Sequence, residues 1–158
     1  QAWLARVIAS ARKRPGLETA PTTLAGVRQM IKALRRGQTV GLLPDQVPPE
    51  GQGVWSPFFG RNAYTMTLAA RLALQTGAEP LVARCERLPW GRGFLLHVEP
   101  LQAPLSDDLE TAVAQINAEM ERVIRARPEQ YLWGYGRYKQ PRRETPPDEP
   151  KAQPTDKV

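Results

Sequence analysis

Leu34-Arg35-Arg36-Gly37-Gln38-Thr39-Val40-Gly41-Leu42-Leu43-Pro44-Asp45-Gln46 decides the fold. Upstream of it, Leu24, Val27, Met30, Ile31 and Leu34 recur at helical spacing, and Thr22 or Thr23 can cap that helix. Gly37 after two arginines suits the position just past a helix end. Thr39–Leu43 is then a short apolar run of strand length, stopped by Pro44. A helix followed at once by a buried-looking strand predicts an α/β layer. Asp45 and Gln46 stand just past the C-terminal end of a strand expected to be central, and ligand sites of open α/β sheets gather at that edge. Asp45 there can accept a proton, orient a base or bind a polar headgroup. Equally, an Asp after Pro can accept backbone N–H bonds within its own turn.

Working outward, residues 2–14 read as a helix with Leu4, Val7 and Ile8 on one stripe, broken by Pro15-Gly16. Residues 44–63 read as one long Pro/Gly-rich loop, a length usually kept for function. Its Trp55-Ser56-Pro57-Phe58-Phe59-Gly60 must fold back into the core or meet something apolar, a lipid chain or membrane included. A helix is expected over 65–76, closed by Gly77, with Ala69, Ala70 and Ala73 permitting close packing. Residues 80–88 and 93–99 read as two strands joined through Pro89-Trp90-Gly91-Arg92. Ser106-Asp107-Asp108 opens a last helix through Val113, Ile116, Met120, Val123 and Ile124, ended by Pro128. An aromatic-rich stretch follows over 129–139. A single domain is expected over 1–139, and a disordered tail over 140–158, which carries five prolines and little that is apolar.

Composition closes several function classes. Cys85 is the only cysteine and His97 the only histidine, so a disulfide scaffold, a zinc finger and any chemistry needing two histidines are excluded within these 158 residues. No apolar run reaches the roughly 18 residues of a membrane-spanning helix. Cys85 reads as a small buried hydrophobe and His97 as a satisfied strand residue; no metal site and no cofactor motif is visible. The net charge of +6 is uneven: residues 1–37 hold eight Lys/Arg against Glu18 alone, an excess of +7. That end favours an acidic partner. Arg12, Lys13 and Arg14 can clamp phosphate or a phosphopantetheine carrier, or simply complement a helix dipole.

The order of these motifs resembles the bacterial lipid A biosynthesis acyltransferases. The resemblance rests on residues 34–46, then Ser56-Pro57-Phe58-Phe59-Gly60-Arg61, then Thr65…Arg71-Leu72-Ala73…Thr76-Gly77-Ala78, then Pro128-Glu129-Gln130-Tyr131-Leu132-Trp133…Arg137-Tyr138-Lys139. It covers roughly residues 10–140. It implies an α/β acyltransferase fold of the glycerolipid type, a mixed sheet flanked by helices, incomplete at the N-terminus. It also implies transfer of a fatty acyl group from acyl carrier protein to a hydroxyacyl chain of a lipid A precursor, at the cytoplasmic face of the bacterial inner membrane, without metal or cofactor. On this resemblance Asp45 is catalytic, and Arg14, Gln46, Phe58, Phe59 and Arg61 contact substrate.

Two departures stand out. The family's general base is a histidine with an acid five residues on, and the only histidine here, His97, is followed at that spacing by Gln102. With no Met at Gln1, the chain reads as a piece of a longer polypeptide whose upstream part holds that pair. The family's closing signature reads Trp, any residue, His-Arg-Arg, whereas this chain has Trp133-Gly134-Tyr135-Gly136-Arg137. The alternative function is a non-catalytic basic module that holds anionic lipid or acyl carrier protein. Nucleic-acid binding ranks last, because the aromatics lie away from the basic residues.

Overall fold

The computed structural model describes residues 16–143. The helix expected over 2–14, Arg14, and most of the tail lie outside the described residues.

Helix α1 (Leu24–Arg35) starts where expected, from an extended Thr23, although that hydroxyl makes no capping bond. Lys32 and Arg35 lie in its last turn, where cations complement the carbonyl end. Gly37 turns the chain out of the helix at φ 73°, its N–H donating to the Leu34 carbonyl. The following Thr39–Leu43 run alternates exposed with half-buried, yet it joins no ladder among the described residues. Leu43 is 66% exposed. The expected strand therefore has the sequence of one without a partner to complete its hydrogen bonds.

The long loop expected over 44–63 is largely a hairpin. Strands β1 (Gly53–Phe58) and β2 (Arg61–Met66) pair antiparallel with Phe58 opposite Arg61. Only Phe59 and Gly60 lie between them, both at positive φ (47° and 74°), the conformation a tight hairpin turn needs to match strand twist. Pro57 is tolerated because a two-stranded sheet leaves each strand an open edge. Helix α2 (Leu68–Thr76) follows, ending on a left-handed Gly77.

Strands β3 (Leu81–Arg87) and β4 (Phe94–Pro100) form a second antiparallel hairpin. Helix α3 (Leu109–Ala126) then closes the domain. Its Asp108 cap accepts from both the N–H and the hydroxyl of Thr111, at 2.9 and 2.7 Å, and Pro128 follows its end. The fold is thus of the α/β class expected, with its described strands in two small antiparallel sheets.

Helix α3 is the spine of the core. Phe58, Ala63 and Ile124 pack together with Met120, Tyr131 and Tyr138 around them. Ala70 of α2 and Ala112 of α3 are fully buried beside Val113, so the alanine-rich helix brings the two helices close, as its composition predicts. Phe58, 1% exposed, belongs to this core.

The β3–β4 hairpin has inverted polarity. Its inward face carries Val82, Arg84, Glu86, His97 and Glu99, and it is tied to α3 by Glu99–Arg122 at 2.8 Å and to the residue just past α3 by Glu86–Arg127 at 2.9 Å. His97 bonds Glu86 at 3.0 Å, a satisfied structural histidine. The outward face carries Leu81, Ala83, Cys85, Phe94, Leu96 and Val98, all exposed. Cys85 is therefore not the buried hydrophobe expected; the polar residues take the covered face because α3 offers arginines there.

The Glu86 carboxyl is held down to about 2, first by the Arg127 hydrogen bond and then by His97 and Arg84, against an ordinary 4.5. A depressed acid stabilises the fold above its unfolded value and loses that contribution as pH falls toward the folded one. Thermal unfolding midpoints should hold above about pH 4.5 and drop steadily toward pH 2, and Glu86→Gln should flatten that acid limb. An acid limb of unchanged depth in Glu86→Gln would contradict the assignment.

Candidate functional site

Asp45 sits in the turn after Pro44, half-buried, with Gln46 exposed beside it. This turn lies under a strap, residues 131–143, that runs back across the domain after α3. Tyr135 Oη accepts the Val47 N–H at 3.0 Å across 88 residues of chain. The Arg142 carbonyl accepts the Glu50 N–H at 2.9 Å. Tyr64 Oη takes the N–H groups of Gly51 and Gly53, at 3.0 and 3.1 Å. The turn is thus pinned by side chains and backbone far from it in sequence.

Arg137 is the anchor of the strap. It is 5% exposed and reaches into the β1–β2 hairpin. One terminal nitrogen donates to the Tyr64 carbonyl at 2.8 Å; the other donates to Thr65 Oγ1 at 2.7 Å and lies 3.5 Å from Asn117 Oδ1. Its guanidinium lies 5.1 Å from the centre of the Phe58 ring, a favourable cation–π geometry. Thr65 donates in turn to the Ala63 carbonyl and accepts from Asn117 Nδ2 at 3.1 Å, which fills its hydroxyl. Tyr138 completes the strap's grip by donating to the Phe58 carbonyl at 2.7 Å.

Besides Ser56 Oγ, two buried donors here, Arg137 Nε and Tyr131 Oη, have no hydrogen-bond partner among the described residues. The Asp45 carboxylate is the acid that acts on both. Tyr131 is pushed up to about 12, first by burial and then by the charge of Asp45. Asp45 raises the phenol without completing a hydrogen bond of standard geometry to it. Burial pulls the Arg137 guanidinium below its ordinary value, and Tyr131 and Asp45 oppose that. A carboxylate, a phenol and a buried cation thus share one place, and the half-buried Asp45 is the member able to meet a polar group from outside.

The residues named from sequence scatter around this centre. Gln46 shares the Asp45 turn. Arg61 is exposed, its guanidinium 4.4 Å from the Tyr138 ring centre. Phe59, half-buried at the hairpin turn, meets Trp133 with ring centres 5.7 Å apart and lies under Arg125 at 4.8 Å. Its N–H donates to Glu121 Oε1 at 2.6 Å. Phe58 lies beneath in the core. Sequence reading missed Tyr131, Arg137 and Asn117; an arginine inside an otherwise aromatic run was the available signal. Elsewhere, a basic hollow between α1 and α2 is lined by Arg28, Ile31, Lys32, Arg35, Arg36 and Gln75, away from Asp45. Among the described residues no helix is long and apolar enough to cross a membrane.

The sequence profile for bacterial lipid A biosynthesis acyltransferase matches residues 1–140. The lipid A biosynthesis lauroyltransferase of Escherichia coli K12 is 38% identical over 117 residues, 72% of this chain and 38% of that protein. The palmitoleoyltransferase of the same organism and a lipid A biosynthesis acyltransferase of Shigella flexneri are each 31% identical over 114 residues, 72% of this chain and 37% of theirs. The chain thus spans less than two fifths of the length of these relatives.

Asn117 is 2% exposed and donates to both the Pro57 carbonyl and Thr65. Asn117→Ala should cost about 2–3 kcal/mol in denaturant unfolding, because it removes the bonds to the Pro57 carbonyl and Thr65 hydroxyl and leaves a buried void. A change under about 0.5 kcal/mol would show that this network does not support the site.

Proposed function

Since the chain belongs to the bacterial lipid A biosynthesis acyltransferase family, we propose that it forms part of an enzyme that moves a fatty acyl group onto a lipid A precursor. The donor on this reading is acyl-acyl carrier protein and the acceptor a hydroxyacyl chain of that precursor, met at the cytoplasmic face of the bacterial inner membrane. The acceptor oxygen attacks the thioester carbonyl, a C–O bond forms, and the C–S bond breaks. The hydroxyl proton passes to a general base and then to the leaving thiolate. That base is a histidine paired with an acid, in polypeptide outside these 158 residues.

The observation that carries the reading is the pairing of the Pro44-Asp45-Gln46 turn with the strap over 131–143. Two motifs of the resemblance, 86 positions apart at Asp45 and Tyr131, meet at one place, with Asp45 acting on Tyr131 and Arg137. Asp45 accepts a hydrogen bond from a polar group of the acceptor and so fixes the reacting end. Gln46 and Arg61 contribute exposed polar contacts, and Phe59 with Trp133 offers an apolar edge. Arg14 contacts substrate by resemblance alone.

A second reading has its own support. Arg28, Lys32, Arg35 and Arg36 form no ion pair with a carboxylate among the described residues, whereas Arg84, Arg122, Arg125 and Arg127 all do. A basic surface left open in this way suits a module that holds anionic lipid or an acidic carrier protein without chemistry.

An acyl-transfer assay separates the two. A longer protein that carries this chain behind a histidine–acid segment should transfer acyl groups, and Asp45→Ala should lower its rate by orders of magnitude, per molecule folded. The 158-residue chain alone should transfer none. Turnover within about twofold of wild type in Asp45→Ala would reject the catalytic reading.

A further inference from the structure

The strap departs from the resembled signature at two positions, where Tyr135 and Gly136 stand in place of a histidine and an arginine. We propose that Tyr135 is a positioning residue that holds the Asp45 turn in place through the Val47 N–H. This rests on the reading of Asp45 as the functional acid, and deepens it.

The turn is poor in backbone donors. Pro44, Pro48 and Pro49 have no N–H, so residues 44–50 carry backbone donors only at Asp45, Gln46, Val47 and Glu50. A segment so stripped can do little to fix itself with bonds of its own. Two of its four donors are taken by the strap: Val47 by Tyr135 Oη at 3.0 Å and Glu50 by the Arg142 carbonyl at 2.9 Å. The bond to Val47 is the nearer, two residues from Asp45.

Tyr135 is itself held. Its N–H donates to the Leu132 carbonyl at 3.2 Å, and Lys139 Nζ lies 4.1 Å from its ring centre. Gly136 follows at φ 71°, a left-handed conformation a side chain resists. This turn lets Tyr135 face the Asp45 segment while Arg137, two residues on, enters the core. One short stretch thereby holds the turn from one side and sets the buried cation beside it. The Gly136 of this chain, in the place of an arginine, serves that geometry.

Hydrogen exchange and tyrosine titration of the full 158-residue chain, read by NMR in wild type, Tyr135→Phe and Tyr138→Phe, test this without any turnover assay. Tyr138→Phe is the control, because it also removes one strap hydroxyl bond, the one to the Phe58 carbonyl. In Tyr135→Phe, the Val47 amide should exchange roughly fivefold faster, as expected for one lost bond of typical net strength. Tyr131 should ionise below its wild-type value of about 12, because the Asp45 carboxylate is no longer held beside it. Tyr138→Phe should leave the Val47 amide unchanged. Unchanged exchange at Val47 in Tyr135→Phe, unchanged Tyr131 ionisation there, or equal acceleration in Tyr138→Phe would each overturn the proposal. Failure here leaves the role of Asp45 to the transfer assay, and loss of Asp45's role leaves this positioning bond standing.

Discussion

A single buried cation organises this domain. The Arg137 guanidinium sits at 5% exposure with no carboxylate bonded to it among the described residues. A charge so placed is stable only if its donors are met and its field is balanced. The Tyr64 carbonyl, the Thr65 hydroxyl and the Phe58 ring meet part of that demand, and the nearby Asp45 charge meets more. The consequence is structural. Hairpin β1–β2, helix α3 and the strap converge on one side chain, and the Asp45 turn is drawn in with them. Packing alone would place the hairpin on α3 through Phe58, Ala63 and Ile124.

The legible parts of the fold were those governed by local rules. Helices α1, α2 and α3 follow from apolar periodicity, from Gly37 and Gly77 at their ends, and from Asp108 at an N-cap. The β3–β4 hairpin followed from two apolar runs around a turn. The β1–β2 hairpin was hidden because Pro57 and the glycines read as loop, although Phe59-Gly60 is a sound two-residue turn. Thr39–Leu43 misled in the opposite way: strand sequence does not make a strand unless a neighbour supplies the ladder. Cys85 misled because burial was inferred from residue type, while the ion pairs of Glu86 and Glu99 decide which face of that sheet turns inward.

The site was half legible. Asp45 was visible from its place after an apolar run and a proline. Tyr131, Tyr135 and Arg137 stood in the closing signature, but their contacts, like those of Asn117, were hidden, because their partners lie between 20 and 88 residues away and no short-range pattern encodes such pairs. The apolar outward face of β3–β4 and the open cations of α1 are two further surfaces the domain leaves uncommitted among the described residues. The first holds Phe94, Leu96 and Val98 in water at an appreciable hydrophobic cost. Both are consistent with a family whose members reach well beyond the stretch matched here.

The most direct test of this account is the thermal unfolding of Arg137→Ala, followed together with amide exchange. If the guanidinium organises the domain, its removal takes away the hydrogen bonds to the Tyr64 carbonyl and Thr65 hydroxyl and leaves a cavity in the core, at about 3 kcal/mol or more. For a domain of this size that lowers the midpoint by roughly 6–12 °C, and residues 45–50 should lose protection together with the strap. An unfolding midpoint within about 1 °C of wild type, with the Asp45 turn still protected, would contradict the account.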